Sequence, residues 1–133
     1  MMNRFRYILL LTCLLTGGVF AEINEDVIFL DLAALMLRDG NLDRAVIALD
    51  QVPLDEEGVD LLRYYTLRGM AHLRRNEYEL AGEALELAVS TGTAESVVYV
   101  YLAQVYFRLE RYRDVLQVLD KVSPELDNMS SLY

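Results

Sequence analysis

Residues 99–122 read YVYLAQVYFRLERYRDVLQVLDKV, and this stretch decides the fold. Apolar residues recur in it at steps of three and four positions, the spacing of one face of an α-helix. The series breaks at residues 109–111, and a second series with the same spacing follows, so we predict two helices folded back on each other. The two series are Tyr99, Leu102, Ala103, Tyr106 and Phe107, then Val115, Leu116, Val118, Leu119 and Val122.

The same pair of helices is predicted twice upstream. Ala45, Ala81 and Val115 occupy matching places, and they are separated by 36 and 34 residues. The extra two residues fall in the connector 53–58, where an insertion costs little because loop-closure entropy rises slowly with length. The acids of this connector predict a solvated loop. The predicted units span about 27–53, 60–91 and 94–123.

Glycine, threonine and proline mark the predicted helix ends. Gly40 is expected to end the first helix in the left-handed conformation, and Gly92 to end the fourth. Thr93 is then the predicted cap of the next helix, Pro53 stops the second helix, and Pro124 closes the third unit.

A fourth unit is predicted to begin at about residue 128. Tyr65, Tyr99 and Tyr133 are spaced by 34 residues, so Tyr133 would open this unit, with residue 127 or 128 as its helix cap. A solenoid needs a polar covering helix on its last unit, and so short a segment does not form one in water. We therefore expect an uncovered apolar face around Leu116 and Leu119, and with it a longer parent protein or self-association through this face.

A 34-residue period with two helices per unit resembles the tetratricopeptide repeat. That family opens each unit with an aromatic, followed by leucine and a small residue three and four places on, and by tyrosine three further. The second unit departs from this pattern at Arg68, where leucine is expected, and at His72, where tyrosine is expected. The family also closes its units with proline, and here Pro53 and Pro124 come early while the second unit has none. The resemblance implies an all-α, right-handed α-solenoid of about three helix-turn-helix units with the start of a fourth. The matching residues are Phe29, Leu32, Ala33, Met36, Ala45 and Leu49, then Tyr65, Gly69, Ala81 and Leu85, then Tyr99, Leu102, Ala103, Tyr106, Val115 and Leu119.

In the family that this chain resembles, the first helices of successive units line a concave groove that holds a partner helix or extended peptide. The corresponding residues here are mainly apolar, which suits an amphipathic helix or an apolar peptide. Met70 and Phe107 are expected to be adaptable anchors. The groove residues are Val27, Leu30, Ala34 and Leu37, then Arg63, Thr66, Met70 and Leu73, then Val97, Val100, Gln104 and Phe107.

Arg38, Arg74 and Arg108 fall at the same place in the three units and could form a basic ladder along one groove edge. One interpretation is a clamp for a carboxylate. The other, which we favour, is that the last turn of a helix prefers a cation because of the helix dipole. The asparagines of the chaperone-type carboxylate clamp are missing from the groove, so we do not infer binding of chaperone tails.

Residues 1–21 have the layout of a secretory signal peptide, with Arg4 and Arg6 before a short apolar run and small residues before a cut after Ala21. This predicts export, and we expect a bacterial periplasm. The alternative is a membrane anchor formed by uncleaved residues 1–21, which would place the protein in a membrane-associated complex. The only cysteine, Cys13, lies in this segment, so no disulfide is expected to support the fold.

Composition and charge narrow the class of partner. The chain is 54% hydrophobic and 25% charged, which is typical of a compact domain. Its formal net charge is −9, and losing the two arginines of the signal would make it −11. An acidic chain repels phosphate backbones, which argues against nucleic acid, whereas a basic or neutral partner is easier to accommodate.

Little in the sequence points to catalysis. His72 is the only histidine and occupies a place where the repeat expects an aromatic, so we predict a packing role. We find no nucleophile with a base at plausible spacing, no phosphate loop and no cluster of metal ligands, and we expect no cofactor. The sequence therefore predicts a non-catalytic scaffold that binds a protein or peptide. The alternatives are the amino-terminal part of a longer, catalytic envelope protein and a self-assembling structural component.

Overall fold

The computed structural model describes residues 24–130, with side chains described up to Val122. The predicted signal peptide, its Cys13 and the terminal Tyr133 lie outside these residues. Within the described range the chain forms six helices and no strand, so the predicted all-α class is confirmed. None of these helices has the length and apolar character needed to cross a membrane. The helices are α1 (Glu25–Arg38), α2 (Leu42–Leu49), α3 (Leu61–Arg74), α4 (Tyr78–Ser90), α5 (Ser96–Arg108) and α6 (Tyr112–Ser130).

The helices form three consecutive hairpins that turn in the same way. Gly40, Asn76 and Glu110 occupy matching positions, and all three have a positive φ, of 77°, 60° and 58°. In each turn the amide after this residue donates to a carbonyl five residues back, which ends the helix in a Schellman motif. The left-handed role predicted for Gly40 is confirmed, and the fold is repeat-like. The three hydrogen bonds join Asn41 to Met36 (2.8 Å), Glu77 to His72 (3.0 Å) and Arg111 to Tyr106 (2.9 Å).

Each hairpin packs on the next one. Besides pairing with α4, α3 contacts α1 and α2 of the preceding hairpin, and α5 contacts α3 and α4 in the same way. The close pairing of α3 with α4 depends on Gly69, because a Cβ there would lie 2.5 Å from Cγ of the fully buried Leu85. The small residue that the repeat pattern expects at Gly69 thus has a steric cause.

Two predicted helix boundaries are wrong. The second helix ends at Leu49, so Val52 lies in the turn beyond it, although its side chain is still buried. Thr93 does not cap α5, because the chain stays extended until Glu95, which is the residue before the helix. Gly92 does adopt the predicted left-handed conformation, with φ of 83°. The acidic residues 55–57 are exposed, as expected of a solvated loop.

The predicted end of the third unit is also wrong. Helix α6 runs without a break through Pro124 to Ser130, so no helix begins at Asp127 or Asn128. A proline inside a helix removes one backbone hydrogen bond and can bend the helix, but the helix can continue beyond it. The spacing of the tyrosines therefore does not mark a helix start within the described residues. The prediction that Leu116 and Leu119 are uncovered is confirmed, since both side chains are exposed.

Candidate functional site

Most of the predicted groove residues of the second and third hairpins meet between α3 and α5. Five of them belong to a cavity of about 250 Å³, which we call the arginine cavity. Arg63, Thr66 and Val97 line a second cavity of about 280 Å³ between the amino-terminal halves of the same helices, the amino-end cavity. The arginine cavity is lined by Met70, Leu73, Arg74, Asn76, Tyr78, Tyr101, Gln104 and Arg108.

Two guanidinium groups define the chemistry of the arginine cavity. Arg74 donates a hydrogen bond from Nη1 to the backbone oxygen of Leu37 at the end of α1, so it also ties two hairpins together. The Arg108 guanidinium carbon lies 5.9 Å from the centre of the Tyr78 ring. Among the described residues no carboxylate pairs with Arg108. Arg108 can therefore offer its donors to a ligand carboxylate.

The sequence did not predict three of the cavity residues, Asn76, Tyr78 and Tyr101. Tyr78 opens α4, and its hydroxyl donates to Asn76 Oδ1 over 2.9 Å, which fixes the ring below Arg108. The groove prediction used only the first helix of each unit, so it missed Asn76 in the turn and Tyr78 at the start of the second helix. Tyr101 lies on a first helix, but at a repeat position that the prediction did not include. The signal that could have found Tyr78 is an aromatic residue directly after a turn that carries a left-handed residue.

The three arginines do not form one ladder. Arg38 pairs instead with its neighbour Asp39, with Nε 3.5 Å from Oδ1, and it lines neither cavity. Arg38, Arg74 and Arg108 are each the last residue of their helix. This position favours a cation through the helix dipole, whether or not a ligand is bound.

Several predicted groove residues line neither cavity, and their packing differs between α1 and α5. Leu30 and Leu37 are buried in the core against α3, and Ala34 is packed against the same cluster. Val100 and Phe107, at the matching positions of α5, are exposed and line neither cavity. These positions face the first helix of the following hairpin. The helix α3 follows the hairpin of α1, whereas no described hairpin follows that of α5. In α1 these positions are contact positions between hairpins, and the groove role of Val100 and Phe107 stays a prediction.

The amino-end cavity has no free cation. Arg63 Nη2 lies 2.5 Å from Asp31 Oδ1 of α1, and the Arg63 backbone amide donates to Asp60 Oδ1 over 2.9 Å. These contacts join α1 to α3 and cap the start of α3. Val97, on the opposite wall, is exposed. This cavity offers a mainly apolar surface next to a charge that is already paired.

His72 packs in a half-buried position and also makes a polar contact that the sequence did not reveal. Its Nδ1 lies 2.6 Å from Glu77 Oε2, and Glu77 Oε1 accepts from Arg75 Nε over 3.0 Å. The hydrogen bond to His72, with a smaller contribution from Arg75, lowers the pKa of Glu77. The contact ties α3 to the turn that leads into α4.

A second polar cluster joins α4 to the third hairpin. Tyr106 donates to Glu86 Oε1 over 2.6 Å, and the Arg111 guanidinium lies 4.3 Å from the centre of the Tyr106 ring. Burial and the hydrogen bond to Glu86 raise the pKa of Tyr106 to about 12. The cluster is a bridge between hairpins, on the opposite side of α5 from Gln104.

The chain matches no protein-family model, no curated protein and no solved structure with which it was compared. Among the described residues, no group of three His, Cys, Asp or Glu side chains could hold a metal ion. The function is therefore inferred from the arrangement of the chain's own residues around α3 and α5.

Proposed function

We propose that this chain is an exported, non-catalytic scaffold of tetratricopeptide-type units, stacked as a right-handed solenoid, that binds another protein. The bound element is a helix or an extended peptide, held in the concave surface between α3 and α5. The observation that carries this proposal is the arginine cavity, which residues of two consecutive hairpins line together. The recurrence of one turn at Gly40, Asn76 and Glu110 supports the repeat architecture.

The walls of the arginine cavity favour a ligand with an apolar side chain. Met70 and Leu73 are half-buried, so they present part of their surface to the cavity. Burying a ligand side chain against them is favourable by about 25 cal/mol per Å² of apolar surface removed from water. Methionine adapts to side chains of different shape, which suits a peptide-binding surface. An amphipathic helix or an extended segment would place such a side chain here.

The rim of the cavity favours a carboxylate close to that apolar side chain. Arg108 is stacked on Tyr78 and has no carboxylate partner among the described residues, and Arg74 uses one donor on a carbonyl. The formal net charge of −9 disfavours an acidic partner at long range. At physiological salt this field is screened beyond about 8 Å, so the two arginines decide the preference at contact distance. The proposed partner therefore carries an apolar anchor and a nearby acid.

Export is inferred from residues 1–21, whose pattern is that of a signal peptide. The proposed location is the bacterial periplasm, and the acidic surface agrees with a protein partner better than with nucleic acid. The absence of a predicted catalytic group or cofactor leaves binding as the activity that the cavity chemistry favours.

Site-specific crosslinking in cells tests this proposal. A photoreactive residue is placed at Gln104, which is exposed and lines the arginine cavity, and in a second chain at Leu87, which is exposed on α4 and lines neither cavity. We expect one dominant protein to be captured from position 104 and not from position 87. Equal capture at both positions, or capture at position 87 alone, would place the binding surface elsewhere.

A further inference from the structure

The amino-terminal hairpin has an exposed apolar face whose counterpart in the third hairpin is buried. Ile28, Leu32 and Leu35 of α1 are 39–50% exposed. The residues at the same repeat positions of α5 are Val98, Leu102 and Val105, and they are 0–4% exposed. Helix α4 accounts for the difference, because it packs on α5 while no described helix precedes α1. We call the exposed surface around Leu32 the front face, and it includes a cavity of about 400 Å³ next to Met36 and Ile47.

The third hairpin has the complementary exposed face. Leu116 and Leu119 of α6 are 67% and 43% exposed, whereas Gly82 and Leu85, at the matching positions of α4, are buried. A Cβ at Gly82 would lie 3.4 Å from Val105 Cγ1, so this position of α4 faces α5. Phe107 of α5 is exposed next to them, whereas its counterpart Leu37 is covered by α3. We call this surface, around Leu116, Leu119 and Phe107, the back face.

The two faces are the separated halves of the contact that joins consecutive hairpins inside the chain. We infer that the back face of one copy packs on the front face of a second copy, so that α6 meets α1 of the next molecule as α4 meets α5. A second copy is the occupant that carries the matching half of the contact. The inference concerns the two ends of the chain and is independent of what the arginine cavity binds.

Charged residues at the rims of the two faces are complementary. In the internal contacts, an acid near the end of the second helix accepts from the next hairpin: Asp50 from Arg68 over 3.0 Å, and Glu86 from Tyr106 over 2.6 Å. Asp120 occupies this position on the back face and has no partner among the described residues. On the front face, Arg44 borders the cavity of about 400 Å³ and likewise lacks an ion-pair partner in the described chain. It can therefore pair with Asp120 of another copy.

The repeat positions indicate that these two charges meet. Asp114 is the counterpart of Arg44 in the third hairpin, and it pairs with the same arginine as Glu86 does. Arg111 Nε lies 2.7 Å from Asp114 Oδ2, and Arg111 Nη1 lies 3.7 Å from Glu86 Oε1. In a stacked pair of molecules, Arg44 would therefore stand beside Asp120 of the preceding copy. Leu116 and Leu35 would replace the smaller internal pair Gly82 and Val105, so α6 and α1 would stand farther apart than α4 and α5 do.

This contact uses two different faces of the molecule, so it can repeat from copy to copy. Substituting one face blocks one end of every molecule and leaves the other end intact. Sedimentation velocity on wild type, Leu32→Glu and Leu116→Glu, each with the same amino terminus, tests the arrangement. We expect the wild type to form species that grow with concentration, and each single variant alone to remain monomeric. An equimolar mixture of the two variants should form a one-to-one dimer and nothing larger, because each supplies the face that the other lacks.

Three results would overturn the inference: a wild type that stays monomeric, a mixture that forms no dimer, and association that only one of the two substitutions removes. The last would indicate a symmetric contact through a single face. Both leucines are exposed, so circular dichroism should show unchanged helix content.

Reversing the rim charges gives a second test. Asp120→Arg alone should weaken association roughly threefold to tenfold, and combining it with Arg44→Glu in the same chain should restore the wild-type behaviour. A double variant no better than the single one would contradict the pairing of Arg44 with Asp120.

Discussion

Tyr106 of α5 donates its phenolic hydrogen to Glu86 Oε1 of α4 over 2.6 Å, and this bond links the third hairpin to the second. The ring is buried and lies under the Arg111 guanidinium. Tyr106→Phe removes the hydroxyl and keeps the ring, so we expect the free energy of unfolding to fall by about 1 kcal/mol. Urea unfolding followed by circular dichroism measures this. Tyr112→Phe, at an exposed ring, is the matched control and should change stability by less than about 0.5 kcal/mol.

The same tyrosine predicts a loss of stability in alkali. Its pKa is raised to about 12 by burial and by the hydrogen bond to Glu86, whereas an unfolded tyrosine titrates near its ordinary value of 10. Between these values the unfolded chain has lost a proton that the folded chain retains, so stability falls as pH rises. The contribution is complete below pH 10. Unfolding curves between pH 9 and 12 should fall more steeply for wild type than for Tyr106→Phe, and parallel curves would count against the assignment.

Glu77 predicts a loss of stability in acid. Its pKa is lowered, first by the hydrogen bond to His72, so its contribution is present above the ordinary carboxyl value and is lost as pH falls through the lowered one. Glu77→Gln should therefore be less stable than wild type at pH 7, and the two should converge as pH falls below the lowered pKa. Glu79→Gln, an exposed acid in the first turn of α4, should show no such convergence.

Two glycines inside helices should respond in opposite ways to alanine. At Gly69 a Cβ would lie 2.5 Å from Leu85 Cγ, and Leu85 is fully buried, so Gly69→Ala should cost about 1–3 kcal/mol. At Gly82 the nearest atom would be 3.4 Å away, so the higher helix propensity of alanine should leave stability unchanged or raise it by up to about 1 kcal/mol. Thermal unfolding of both variants compares the two effects, and equal melting temperatures would contradict this account.

The repeated turn predicts a stabilising substitution. Glu110 has φ of 58°, a conformation that costs a residue with a Cβ about 1–2 kcal/mol, while Gly40 carries no such cost in the matching turn. We expect Glu110→Gly to raise the free energy of unfolding by about 0.5–1 kcal/mol, and Gly40→Ala to lower it by about 1 kcal/mol. The same urea titration measures both, and a destabilised Glu110→Gly would show that its side chain matters more than the turn.

The helices and turns were predictable because their determinants are local. The apolar spacing indicated every hairpin, and Gly40 marked its turn correctly. The continuation of α6 through Pro124 was not predictable, because proline weakens a helix without deciding whether it ends. The predicted helix cap at Thr93 is wrong because a residue type that favours caps can also occur in an extended connector where no helix begins.

The candidate site was predictable only in part because burial depends on neighbouring hairpins. Met70, Leu73 and Gln104, which the repeat positions group together, line one cavity. Leu37 and Phe107 share a repeat position, yet Leu37 is buried and Phe107 is exposed. The helix α3 covers Leu37, whereas no first helix of a further hairpin covers Phe107 within the described residues. The contact of Arg74 with the Leu37 carbonyl was also beyond the sequence, since it joins residues 37 positions apart.

The most direct test of the central claim is capture from position 104 in chains that alter the arginine cavity. Arg108→Glu reverses the unpaired charge on the rim, and Met70→Glu places a charge on the apolar wall. The matched controls are Arg113→Glu and Leu87→Glu, which make the same changes at exposed positions of α6 and α4 that line neither cavity. Helix content is measured on all four. The account predicts that both cavity variants capture at most about one tenth as much partner as wild type, which corresponds to a loss of roughly 1.4 kcal/mol in binding free energy. Both controls should capture as much as wild type. Undiminished capture by folded Arg108→Glu and Met70→Glu would contradict the claim that this cavity binds the partner.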